Sequence, residues 1–96
     1  MPKRTGRYRQ KLRRHFNLRL NQYYELRANK EEMKQIIKLI MEGQVIYVGK
    51  VTNTRSFFIV EFKNKDVLLL YSKKLKTLVT AYPLDSIEKV KKKIKK

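Results

Sequence analysis

The sequence contains no cysteine and no tryptophan, and its 96 residues include one histidine, His15. A chain without thiols has neither a disulfide nor a thiolate metal site, and a single imidazole is too few for a typical zinc site. We therefore expect no metal ion and no cofactor. A reducing, cytoplasmic setting suits such a chain.

Long apolar runs and organised carboxylates are also missing. No segment approaches the roughly 18 apolar residues of a membrane span, and no apolar core of a signal peptide follows the basic N-terminus. The glycines, Gly6, Gly43 and Gly49, are too far apart for a phosphate-binding loop. The eight carboxylates are scattered and do not suggest a two-metal nuclease. We expect neither a membrane protein nor a secreted one.

Positive charge is what the sequence has in excess. Lys and Arg number 25 against 8 acidic residues, which gives a net charge of +17. The first 24 residues hold eight of these cations and no acid, since the first carboxylate is Glu25. Because 42% of the residues are hydrophobic, we expect a folded domain that carries the charges on its surface, and not a disordered chain. The composition predicts one domain over residues 1–96 whose partner is a polyanion.

The basic N-terminal segment has the periodicity of an amphipathic helix. Between residues 7 and 24 apolar side chains recur every four residues, at Tyr8, Leu12, Phe16 and Leu20. His15 and Arg19 would then lie one turn apart on the polar side, with Lys11 and Arg14 nearby. One phosphate could contact several of these side chains together.

A second helix and four strands are predicted to follow. Asn29 and Glu32 fit a capping box, and a core helix over residues 29–42 would end at Gly43. Residues 45–82 contain β-branched and aromatic runs that predict four strands, over residues 45–51, 56–62, 67–72 and 77–82. The linkers between these runs are short and polar, which suits hairpins and an antiparallel meander.

These elements predict an α+β domain in which two helices pack on one face of a four-stranded antiparallel sheet. The other face would be left for solvent or a ligand. Residues 84–96 should form a short basic helix or tail, with a narrow apolar stripe of Ile87, Val90 and Ile94. Its six lysines would add salt-dependent affinity for a polyanion without sequence preference.

Three features form a recognisable pattern. Two helices precede an antiparallel meander, the basic first helix carries His15, and the closing strand runs from Leu78 to Pro83. This pattern resembles the superfamily of barnase, EndoU, colicin and RelE-like ribonucleases. The resemblance extends over residues 8–83 and includes the segment Asn53-Thr54-Arg55-Ser56. Phage and toxin members of that group cut RNA without a metal on the outer face of the sheet. The resemblance therefore implies an endoribonuclease that leaves 2′,3′-cyclic phosphate ends.

The resemblance also implies catalytic residues. The family's helical histidine corresponds to His15, its phosphate-binding cations to Lys50 and Arg55, and its closing-strand polar residues to Thr80 and Tyr82. Arg19 would assist from the helix. Barnase-like members pair a carboxylate base with a histidine acid, and this chain has no acid near its histidine. RelE-like members use Lys, Arg and Tyr, so the identity of the base stays open.

Metal-free RNA cleavage requires a base for the 2′-hydroxyl, an acid for the leaving 5′-oxygen and fixed cations for the phosphorane. His15, Arg19, Lys50 and Arg55 are residues of the types that supply these functions. The alternative is that His15 is an ordinary polar residue on a helix that binds RNA. A non-enzymatic protein of that kind, ribosome-associated or phage regulatory, would use the same basic helix and tail.

The candidate phosphate-binding residues are cations near the two ends of the chain: Arg9, Lys11, Arg13, Arg14, Lys92 and Lys93. The predicted partner is RNA, free or on the ribosome, although phosphate attraction alone also suits DNA. An acidic inhibitor or antitoxin is a further candidate partner. An anionic membrane is disfavoured because the first helix lacks a wide Leu- or Trp-rich face. The sequence does not specify the oligomeric state.

Overall fold

A computed structural model describes residues 2–93, and the side chains of residues 10–92. It confirms the α+β architecture, in which two helices precede a four-stranded antiparallel sheet and a short helix follows it. The elements are α1 (Pro2–Tyr24), α2 (Lys30–Met41), β1 (Ile46–Lys50), β2 (Arg55–Phe62), β3 (Lys65–Ser72), β4 (Thr77–Tyr82), a 3-10 turn (Leu84–Ser86) and α3 (Ile87–Lys93). Within residues 2–93, no helix has both the length and the hydropathy needed to cross a bilayer.

The sheet is a meander in which β1, β2, β3 and β4 lie side by side in chain order. Each neighbouring pair is antiparallel, as the short polar linkers predicted. Lys63 and Asn64 form the β2–β3 turn with φ angles of 50° and 67°, the backbone of a two-residue type I′ hairpin. Because this turn uses only two residues, β3 begins at Lys65, two residues earlier than predicted.

The predicted capping box at the start of α2 is confirmed. The side chain of Asn29 accepts a hydrogen bond from the Glu32 N–H at 2.8 Å, and the Glu32 carboxylate accepts one from the Asn29 N–H at 2.9 Å. This backbone hydrogen bond, together with Lys63 at 3.3 Å, holds the pKa of Glu32 below its ordinary value. At the other end, Gly43 takes a left-handed φ of 73° and stops the helix.

The main core lies between the two N-terminal helices and one face of the sheet. Phe16 and Leu20 of α1 are fully buried there, and α2 adds an apolar stripe from Met33 to Ile40. The sheet contributes β-branched and leucine side chains such as Val60 and Leu69. This packing is the predicted one, and it orients α1 so that its polar side chains border α2 and the solvent.

The second sheet face is partly covered, so the expectation that the whole face would be left for solvent or a ligand is wrong. Val90 of α3 is only 3% exposed and packs, with the half-buried Ile87, on a separate cluster formed by Leu12, Phe57, Leu68, Leu70 and Val79. Periodicity did predict the stripe of Ile87 and Val90. Its third member, Ile94, lies outside the described residues. The short helix covers the sheet because burying this stripe removes apolar surface from water on both partners.

Hydrogen bonds fix the end of α1 to the sheet. The Tyr24 hydroxyl donates to the Tyr82 carbonyl at 2.7 Å and accepts from the Leu68 N–H at 3.1 Å. Burial raises the pKa of Tyr24, although the bond from Leu68 opposes this, so the hydroxyl stays protonated at neutral pH. Lys65 Nζ adds a bond to the Tyr24 carbonyl at 2.9 Å, where a helix end leaves carbonyl groups unpaired.

Tyr24→Phe should lower the free energy of unfolding by about 1–3 kcal/mol, because a partly buried N–H and a carbonyl lose their shared partner. Tyr23→Phe is the matched control, since Tyr23 is adjacent and 36% exposed. Urea unfolding followed by circular dichroism measures both. Equal midpoints for the two variants would show that the Tyr24 hydroxyl does not stabilise the fold.

Candidate nucleic-acid interface

A groove lined by cations lies between α1 and α2. It consists of three adjoining depressions of about 410, 300 and 170 Å³, which share Arg14 and Asn17 at one junction and Arg13 and Lys30 at the other. We call this surface the basic groove. Its cationic lining is Arg13, Arg14, Arg27, Lys30, Lys34 and Lys76.

The helical period explains why these side chains meet. The apolar stripe of α1 faces the sheet, so Arg13 and Asn17, one step round the helix, border α2. The Asn17 side chain donates to the Ala28 carbonyl at 2.9 Å and accepts from the Ala28 N–H at 2.8 Å. This two-bond clamp holds the loop between the helices against α1. It thereby brings Arg27 and Lys30 into the same groove as the α1 arginines.

The positive charge of the basic groove is not neutralised by the fold. No carboxylate lines the three depressions. Lys34 pairs with Glu31 at 3.7 Å, and both side chains are exposed, so that pair contributes little to stability. The other five lining cations make no ion pair within residues 10–92. Clustered, unneutralised cations of this kind attract phosphate groups.

The predicted phosphate-binding residues fall on different surfaces. Arg13 and Arg14 of α1 line the basic groove. Lys11 is exposed but does not line it, and Lys92 is exposed on α3. The side chains of Arg9 and Lys93 lie outside the described residues.

The two predicted catalytic residues of α1 lie on the side of the helix away from the basic groove. His15 is exposed, and no hydrogen bond of its side chain occurs among residues 10–92. Arg19 is half-buried and donates to the Gln22 side-chain oxygen at 2.9 Å. Neither residue lines the groove, which takes Arg13 and Asn17 from the opposite flank of the buried stripe.

The four predicted catalytic residues of the strands are divided between the two sheet faces. Lys50 pairs with Ser56, so it lies on the α2 side, whereas the pairing of Phe57 with Leu70 and of Leu70 with Thr80 defines the α3 side. Three of the residues, Arg55, Thr80 and Tyr82, share the α3 side by strand alternation.

Two of those three residues are engaged in packing. Thr80 is only 7% exposed, and its hydroxyl donates to the Ala81 carbonyl at 3.5 Å. The Tyr82 ring meets the Phe57 ring edge to face at 5.5 Å. Arg55 is half-buried at the start of β2. The structure therefore brings Arg55, Thr80 and Tyr82 onto one face and separates Lys50 from them.

Sequence reasoning missed most of the groove. Its lining includes cations that were not among the predicted site residues, namely Arg27, Lys30, Lys34 and Lys76. The capping box was a usable signal, because it put Lys30 at the first turn of α2. The period of α1 defines its buried stripe but not which flank α2 will border, so the signal was incomplete.

Comparison with known proteins adds no relative to this description. No family model, no curated protein and no solved structure matches the chain. Among the described residues, no group of three His, Asp or Glu side chains is arranged to hold a metal ion. The interpretation of the groove therefore depends on its own geometry and charge.

Asn17→Ala should lower the free energy of unfolding by about 1–3 kcal/mol, because it leaves the buried N–H and carbonyl of Ala28 without partners. Asn21→Ala is the control, since Asn21 is exposed and lines the same groove. Urea unfolding gives the stabilities, and amide exchange at Ala28 reports opening of the loop. Unchanged exchange at Ala28 in Asn17→Ala would contradict the clamp.

Proposed function

We propose that this protein binds RNA through the basic groove. The observation that carries the proposal is the lining of six cations with no carboxylate, of which only Lys34 is used in an ion pair among the described residues. Each phosphate that a cation neutralises releases condensed counterions, and this release favours binding. The exposed lysines of α3 would add affinity without sequence preference.

The choice of RNA over DNA is supported by the resemblance to the ribonuclease superfamily, because charge alone does not discriminate between them. The proposed ligand includes RNA on the ribosome, and the proposed compartment of the protein is the cytoplasm. An acidic inhibitor or antitoxin would compete for the same cations, since its carboxylates would replace the phosphates.

A second candidate function is metal-independent cleavage of the bound RNA, leaving 2′,3′-cyclic phosphate ends. The observation that favours it is that Arg55 and Tyr82, both only partly buried, share one sheet face. Thr80 lies on that face too, but it is 7% exposed and has no part in the proposal. Leu12 of α1 packs on that same side, and the helical period puts Arg19 next to Leu12 around the helix, followed by His15. In this proposal His15 is the proton-transferring group, and Arg19 and Arg55 stabilise the phosphorane. Lys50 has no part in it.

The binding proposal predicts a change in salt dependence. The double variant Arg13→Gln with Arg14→Gln should weaken binding of single-stranded RNA, and it should reduce the slope of log K against log salt by about 1.4, or roughly 0.7 for each lost contact. The control is Lys38→Gln with Lys74→Gln, which removes the same charge from exposed sites outside both the groove and α3. Fluorescence anisotropy at several salt concentrations measures both. Equal slopes for the two double variants would exclude the groove as the phosphate site.

The cleavage proposal predicts metal-independent products. Total RNA and ribosome-bound message incubated with the protein in excess EDTA should acquire 2′,3′-cyclic phosphate ends. His15→Ala should slow this reaction by about 10²- to 10⁴-fold with little change in affinity, and Arg55→Ala should slow it as well. Tight binding by the wild type without any cut would refute cleavage and leave the binding proposal intact.

A further inference from the structure

A second cavity, of about 500 Å³, lies on the α2 side of the sheet. It is formed by the C-terminal end of α2, β1 and the two turns that follow β1 and β3. The basic groove runs along the preceding part of α2, from Lys30 to Ile37, in a helix about 18 Å long. Lys76 of the groove and Lys73 of the cavity belong to the same β3–β4 turn. The cations therefore continue from the groove to the cavity along one side of the domain.

A row of aromatic rings leads from the core to the mouth of this cavity. The Tyr71 ring is buried and meets Phe58 at 6.4 Å, and Phe58 meets Tyr47 at 5.6 Å, both edge to face. Tyr47 is 59% exposed, although it lies on a strand. Its ring therefore lies mostly in solvent and presents a flat apolar surface. The edge-to-face contact with Phe58 holds the ring in place. Such a surface suits stacking with a nucleic-acid base.

Two lysines and several small polar side chains flank the aromatic row. Lys50 and Lys73 line the cavity, and neither makes an ion pair within residues 10–92. The Lys73 N–H donates to the Thr54 carbonyl at 2.6 Å, which ties the two turns together. No carboxylate lines the cavity, whereas Asn53 and Ser56 supply hydrogen-bonding groups. The cavity thus combines an aromatic platform with two cations that make no ion pair within residues 10–92.

We infer that this cavity binds one unpaired nucleotide, with its base stacked on Tyr47 and its phosphate held by Lys50 and Lys73. The inference rests on the proposed function and deepens it, because it names single-stranded RNA as the ligand. A base inside a duplex has no free face for Tyr47. An acidic peptide would satisfy the lysines, but its carboxylates would not use the flat ring.

The direct test is an NMR titration of the full chain with adenosine 5′-monophosphate and with uridine 5′-monophosphate. The nucleotides should shift the signals of Tyr47, Phe58 and Lys73. Adenosine alone and inorganic phosphate alone should bind more weakly, because each engages only half of the cavity. A short peptide of Asp and Phe serves as the competing ligand. If that peptide binds the cavity more tightly than either nucleotide, the inference is overturned.

Variants test the same site with single-stranded RNA oligonucleotides. Tyr47→Ala should weaken binding by about 5- to 150-fold, the range for loss of one base–aromatic stack, whereas Tyr47→Phe should retain affinity. Ile46→Ala is the matched control, because Ile46 is adjacent, 62% exposed and on the opposite sheet face. Lys73→Gln should weaken binding more than Lys74→Gln, whose side chain does not line the cavity. Double-stranded RNA should not respond to Tyr47→Ala.

The two proposals fail in different ways. If the Arg13 and Arg14 double variant weakens binding and Tyr47→Ala does not, the nucleotide cavity is refuted and the basic groove stands. If the wild type binds no RNA at all, RNA binding through the groove is refuted. In that event the mononucleotide titration decides the cavity alone, and an absence of shifts at Tyr47 and Lys73 refutes it.

Discussion

The burial of the apolar stripe of α1 is the interaction on which the rest of the structure depends. Phe16 and Leu20 are fully buried, and they hold a strongly basic helix against a domain that is itself positively charged. The free energy gained by removing these side chains from water must exceed the repulsion between the cations. The Asn17 clamp and the Tyr24 hydroxyl then fix the orientation of the helix. Only with that orientation do the arginines of α1 border α2.

The cations of this chain differ in whether the fold supplies them with partners. Lys63 and Lys65, at the β2–β3 hairpin, donate to the carbonyls of Arg27 and Tyr24 and so stabilise the exit from α1. Lys63 also reaches Glu32 of the capping box. The cations of the basic groove have almost no such partners among the described residues. A high net charge therefore does not by itself single out one surface, whereas the basic groove concentrates five cations that the fold leaves without an ion pair among the described residues.

Much of the fold could be predicted from local signals, because those signals have local causes. The period of α1, the capping box of Asn29 and Glu32, and the short linkers between strands each reflect contacts within a few residues. Prediction was wrong about the second sheet face, where a seven-residue helix too short to be stable alone is held by tertiary packing of Val90.

The candidate sites were harder to predict than the fold. Arg13 and Arg14 were identified from charge, but Arg27 and Lys76 join them only through the tertiary arrangement of α1, α2 and β4. The packing of α1 against β4 also has a consequence for synthesis. The helix leaves the ribosome well before its docking strand, Thr77–Tyr82, because α2 and three strands lie between them in the chain. The basic groove can therefore assemble only after β4 has been synthesised, so that the nascent chain carries the positive charge of α1 before it has the groove.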